Sequence, residues 1–157
     1  MPSQVLSEQS LAVRAFTSLL RAYAAATRQL SADLTADHGL TISDYEVMLR
    51  LARSPDRRMR RVDLAEQVLL TASGVTRLLE GLERDGFVER GSCETDRRVV
   101  YAVVTDSGLA KLREARASHL AQIDAFFTTR FDEDELGELS ELLTRMAGSE
   151  PACESSV

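Results

Sequence analysis

At 157 residues, 44% of them apolar, the chain has the size and composition of one ordinary domain with a core of its own. No run of about 18 apolar residues occurs, which excludes a helical membrane span. The opening MPSQVLSEQS lacks the charged and apolar segments of a secretion signal, so a cytoplasmic protein is expected. The net charge of −6 argues at first sight against a polyanionic partner.

Helical periodicity opens the chain. From about Ser10 to Asp37 there is no Pro or Gly, Leu11, Phe16, Leu19, Leu20, Tyr23, Leu30 and Leu34 recur at helical intervals, and Gly39 ends the helix. Ser43-x-x-Glu46 reads as a capping box and predicts a second helix through Val47, Leu49 and Leu51 to about Arg53. Ser54-Pro55-Asp56 is a turn, followed by a basic cluster of Arg57, Arg58, Arg60 and Arg61. A short third helix runs from about Arg61 to Leu69, with Val62, Leu64, Ala65 and Val68 as its apolar face.

Thr71 caps a fourth helix whose Val75, Leu78, Leu79 and Leu82 face the core, and Asp85-Gly86 ends it. Phe87-Val88 and Val99 to Val104 are β-rich and flank a polar loop from Gly91 to Arg97, the pattern of a hairpin with a long tip. Helix resumes at Thr105, with Leu109, Leu112, Ala115, Leu120, Ile123, Phe126 and Phe127 in one stripe. Asp132-x-x-Glu135 caps a last helix bearing Leu136, Leu139, Leu142, Leu143 and Met146. The expected fold is mainly α with a small β wing: a winged helix-turn-helix lobe at about 40–105, long helices at about 8–37 and 106–147, one domain over 1–148 and a disordered tail at 149–157. The long end helices carry more apolar surface than such a lobe needs, which predicts pairing with a second copy as a homodimer.

Charge is unevenly spread. Residues 50–98 hold eleven arginines against nine carboxylates, so the predicted lobe is mildly basic within an acidic chain. Phosphate binding follows local potential, which restores double-stranded DNA as a partner. Ser73, Gly74, Thr76 and Arg77 lie near the start of the fourth helix, where a helix in the major groove meets base edges. Asp96 and Arg98 stand two apart, hence on the same face of a strand, and Arg97 between them is a further candidate for DNA contact. Arg60, Arg61 and Arg90 are candidate phosphate contacts, Arg90 equally an internal salt bridge. Tyr23, Tyr45 and Met48 are candidates for an effector crevice, although such residues more often form core.

This succession of helices, hairpin and helices resembles the MarR family of bacterial transcriptional regulators. The matching residues are Leu64-Ala65-Glu66, Thr71 to Leu78, Leu82-Glu83-Arg84-Asp85-Gly86-Phe87-Val88-Glu89-Arg90, Asp96-Arg97-Arg98 and Val103 to Gly108, over residues 10–147. The resemblance implies a homodimeric repressor of a palindromic operator, released by a small-molecule or redox effector. It also implies that Arg98 enters the minor groove and that Asp96 orients it, with Arg97 then reaching a neighbouring phosphate. Members that sense peroxide through a cysteine commonly keep it in the first helix, and this chain has none there.

Alternatives remain at this level: a winged helix that docks a protein, or a redox-responsive regulator acting through Cys93. Ser92 and Glu94 beside Cys93 offer no thiolate stabilisation. Cys93 and Cys153 form no disulfide framework, His38 and His119 have no metal-ligand spacing, and no catalytic motif occurs, so neither a metal, a cofactor nor an enzymatic activity is expected.

Overall fold

The computed structural model describes residues 10–68, 72–93, 96 and 98–147. The chain is mainly α-helical with a small three-stranded antiparallel sheet. Two compact units divide it, one through His119 and one from Leu120.

The first unit opens with α1, Leu11–His38. Ser10 caps it by accepting from the Val13 amide at 3.3 Å, and Gly39 ends it at φ 69°, in the left-handed region that glycine enters without a Cβ clash. Only its C-terminal part is anchored: Leu30 and Leu34 are buried, whereas Leu11, Phe16, Leu20 and Tyr23 are exposed. Helix α2, Ile42–Arg53, starts earlier than the Ser43-x-x-Glu46 spacing suggests. Thr41 is the cap, its Oγ1 accepting from the Asp44 amide at 3.1 Å while the Thr41 amide donates to Asp44 Oδ2 at 2.8 Å. The same motif two residues upstream wins because Leu40 is buried immediately before it. Glu46 is then free to pair with Arg50 one turn on, at 2.8 Å.

After the turn at Pro55–Arg57, where Asp56 and Arg57 both take φ 55°, Arg58–Arg60 forms strand β1. No β-branched residue marks this strand in the sequence, where the stretch reads only as a basic cluster. Helix α3 follows, Arg61–Gln67. Leu64 and Val68 are buried, but Val62 is 64% exposed and does not belong to the apolar face. Leu69 and the expected cap Thr71 lie outside the described residues.

Helix α4, Ala72–Arg84, buries Val75, Leu79 and Leu82. Its end is a Schellman motif: the Phe87 amide donates to Leu82 O at 2.9 Å, the Gly86 amide donates to Glu83 O at 3.1 Å, and Gly86 sits at φ 76°. Strands β2, Val88–Ser92, and β3, Val100–Val104, complete the sheet in the order β1-β3-β2. The register sets Val88 opposite Val104, Gly91 opposite Tyr101 and Met59 opposite Ala102. The hairpin loop is therefore shorter than expected, since Gly91 and Ser92 are in the ladder.

Helix α5, Asp106–Thr128, begins against this hairpin. Thr105 Oγ1 donates to Gly86 O at 2.7 Å and accepts from the Gly108 amide at 3.0 Å, while the Thr105 amide donates to Phe87 O at 3.0 Å. Further along, His38 Nε2 lies 2.6 Å from Ser118 Oγ, joining the end of α1 to α5. One core gathers Leu34, Leu40, Met48, Leu51, Leu64, Leu79, Val104 and Leu112 from all these elements.

The second unit contains the end of α5 and α6, Glu133–Ala147. Asp132 and Glu135 form the expected capping box, at 2.9 and 3.0 Å. Leu142, Leu143 and Met146 of α6 are exposed. The tail at 149–157 lies outside the described residues.

Candidate nucleic-acid interface

Helix α4 divides cleanly into two faces. Val75, Leu79 and Leu82 fasten one to the core, and the 3.6-residue period turns Ser73, Thr76, Arg77, Glu80 and Arg84 to the surface. Gly74 is half-buried, closer to the protein than the sequence suggested. A short polar row ending in an arginine, on a rigid helix packed against α3, is the arrangement that reads base edges in a major groove.

The hairpin tip is organised differently from expectation. Arg98 stands in a turn before β3, not on a strand. Asp96 Oδ1 accepts from the Arg98 backbone amide at 2.9 Å, and Asp96 O accepts from the Val99 amide at 3.1 Å. The carboxylate thus orders the main chain that presents Arg98. Two-residue spacing fits a strand face and an Asx turn equally, and the second is what forms. Arg98 is exposed, as a side chain entering a groove must be. Arg97 lies outside the described residues.

The other arginines sort by partner. Arg60 holds Asp63 with two hydrogen bonds at 2.7 and 2.8 Å, and that hydrogen bond and charge push its guanidinium above the usual arginine value. Arg58 stacks over Tyr101 at 4.9 Å, and Arg57 pairs with Asp106 at 2.9 Å. Arg61 is turned inward, its side chain 17% exposed and bonded to Glu83, so it belongs to the frame between α3 and α4 rather than to a phosphate-facing surface. Arg90 Nε lies 3.6 Å from Glu83 Oε2 while its side chain stays 62% exposed, so the salt bridge is real and the surface is retained.

The three residues considered for an effector crevice differ in exposure. Met48 is wholly buried and Tyr45 nearly so, whereas Tyr23 is 67% exposed on α1. Tyr45 packs on the His119 ring, centroids 4.6 Å apart. Burial pushes the Tyr45 hydroxyl above its usual value, opposed by Arg116 and Arg53, and pushes the His119 imidazole below its own. An open cleft of about 520 Å³ lies elsewhere, lined by Met59, Asp63, Glu66, Gln67 and Tyr101 among others. Among the described residues no group of His, Cys, Asp and Glu is placed to hold a metal ion, and no helix is long and apolar enough to cross a membrane.

Comparison with known proteins fits this geometry. A model of the MarR family matches residues 38–99. The HTH-type transcriptional repressor YetL of Bacillus subtilis is 31% identical over 115 residues, 69% of each chain. The HTH-type transcriptional regulator MhqR of the same organism is 27% identical over 141 residues, 90% of this chain and 93% of its own. Among solved structures, AbsC, a MarR family transcriptional regulator from Streptomyces coelicolor, superposes with a TM-score of 0.76 at 31% identity, covering 89% of this chain and 95% of its own. Sco3205, a MarR family transcriptional regulator of that organism solved in complex with DNA, gives 0.78 at 26% identity, over 89% and 88%.

Proposed function

This chain belongs to the MarR family of DNA-binding transcriptional regulators, and from that premise we propose that it is a homodimeric repressor of a palindromic operator, released by a small-molecule effector. The observation that carries the reading is the pairing of two surfaces in one lobe. The exposed row Ser73, Thr76 and Arg77 of α4 and the ordered turn bearing Arg98 belong to adjacent elements of one sheet-and-helix unit. Side chains of the row take base edges in the major groove, and Arg98 takes the neighbouring minor groove by its narrow width and negative potential. Arg97 and Arg90 serve phosphates beside it.

Two copies account for the apolar surface left on the long helices. Leu11, Phe16, Leu20 and Tyr23 of α1 and Leu142, Leu143 and Met146 of α6 are each exposed in the single chain. A two-fold dimer covers them and sets two recognition helices against two half-sites. Acting on chromosomal DNA, the protein works in the cytoplasm.

Selection of duplexes from a random-sequence library by the full-length protein tests this. The expected product is a two-fold-related pair of half-sites about one helical turn apart, bound with strong salt dependence. Unrelated sequences, or no salt-sensitive binding, overturn the reading. The same duplex, with small phenolic and drug-like compounds screened for release, tests the effector.

A further inference from the structure

Glu83 stands in the last turn of α4, at the edge of its buried face, and its side chain is 22% exposed. It meets two arginines from different elements. The Arg61 guanidinium, from the first residue of α3, donates to Oε1, and Arg90 Nε of β2 lies 3.6 Å from Oε2. The backbone carbonyl of the same residue accepts from Gly86, inside the turn that leads into the wing. One residue therefore joins both helices of the helix-turn-helix to the first strand of the wing.

The geometry points to Glu83 as a positioning residue for DNA binding: it fixes the angle between the recognition helix and the wing, so that Arg77 and Arg98 reach neighbouring grooves together. The inference rests on the reading of α4 and the wing as one DNA surface. Between α4 and β2 there are only Asp85, Gly86 and Phe87, and the left-handed Gly86 at their centre is the most permissive residue available. Backbone bonds and Thr105 fix this link at the turn itself, and the Glu83 carboxylate adds the tie beyond it, to Arg90 on the wing strand. A carboxylate hydrogen-bonded to one guanidinium and ion-paired with a second constrains direction, because its two oxygens face two different elements at once. An exposed ion pair such as the Arg90 arm adds little to folding stability, so its clearest consequence is orientation.

Simple charge counting makes the opposite prediction from positioning, which gives the test its edge. Removing a carboxylate beside DNA should strengthen binding and steepen its salt dependence. Positioning predicts weaker binding in Glu83→Gln, by about tenfold, with the salt slope lowered by about one as the wing arginine loses its place. The decisive measurement is a double-mutant cycle with Arg98→Ala, by fluorescence titration of the full-length protein against its selected duplex. Arg98→Ala should cost at least about fivefold less in the Glu83→Gln background than in the parent.

Additive costs, or tighter binding with a steeper slope, overturn the clamp. Should Glu83→Gln fail to fold, Arg90→Gln breaks only the exposed arm. That variant should fold and, beyond the loss of its own phosphate contact, show the same coupling to Arg98, whereas a loss that simply adds to that of Arg98→Ala would overturn the proposal. An unchanged affinity in Arg98→Ala alone defeats the wing reading and the clamp with it. A normal loss in Arg98→Ala with additivity defeats the clamp only.

Discussion

Thr105 and Gly86 are joined by a 2.7 Å hydrogen bond from the threonine hydroxyl to the glycine carbonyl, and the same hydroxyl caps α5 by accepting from the Gly108 amide. Nineteen residues apart in sequence, they bring the start of α5 onto the turn that closes α4. The Thr105 amide adds a bond to Phe87 O, so displacement of the first turn of α5 must be shared with the end of the recognition helix. This joint ties the first turn of α5 to the end of α4.

Gly108 tests the joint. A Cβ there would sit 2.2 Å from Phe87 O and 2.8 Å from Val104 Cγ2, and a backbone carbonyl cannot give way as a flexible side chain can. Gly108→Ala is expected to destabilise the fold by about 1–3 kcal/mol in denaturant titration and to weaken DNA binding beyond the unfolded fraction. A variant as stable and as tight as the parent would show that the contact is soft.

At the wing tip, Arg98→Ala is expected to weaken binding and to lower the salt slope by about one. Asp96→Ala removes the bond that orders the Arg98 main chain and should weaken binding less, because the guanidinium remains. Titrations at several salt concentrations separate the two: the slope should fall less in Asp96→Ala than in Arg98→Ala. Equal slopes in all three proteins would contradict the assignment.

On α4, Arg77 reads sequence if it meets a base and only adds affinity if it meets a phosphate. Lying in the exposed row with Ser73 and Thr76, it is expected to meet a base. Arg77→Ala should lose about 1–3 kcal/mol of discrimination at one position of each half-site. Repeating the duplex selection with the variant checks this, and uniform weakening across sequences would reassign it to the backbone.

Much of this lobe was legible because its signals are local. The 3.6-residue spacing of Val75, Leu79 and Leu82, the stop at Gly86 and the β-branched run of β3 each act within one element. What escaped depends on partners far away in sequence. Arg58–Arg60 has no β-branched residue and becomes a strand because β3 offers it a ladder, with Met59 opposite Ala102. Ser43-x-x-Glu46 and Thr41-x-x-Asp44 are both sound capping boxes, and the burial of Leu40 decides between them. The bond from Arg61 to Glu83 spans twenty-two positions, and nothing in either segment announces it.

The apolar row of α1 gives a test of assembly. Phe16 is 60% exposed in the single chain, so Phe16→Glu should leave the fold of one copy intact. If a second copy covers it, sedimentation should show a shift from dimer to monomer. Operator affinity should then fall by about 100-fold or more, because the two half-sites are no longer bound by a linked pair. A dimer that persists would place the interface elsewhere.

His119 makes stability depend on pH. It is 4% exposed and packed on Tyr45, and burial holds its imidazole below the usual 6.5. Above the unfolded value both states are neutral there and the full stability is present. As the pH falls below that value the unfolded chain takes up a proton that the folded chain resists, so stability declines until the lower folded value is reached. The loss from this one group can reach about 1.4 kcal/mol per pH unit within that window. His119→Phe keeps a ring against Tyr45 and removes the titration, so its denaturation midpoint should fall less than the parent's between neutral and mildly acid pH. Parallel decline in the two proteins would assign the acid sensitivity to the carboxylates instead.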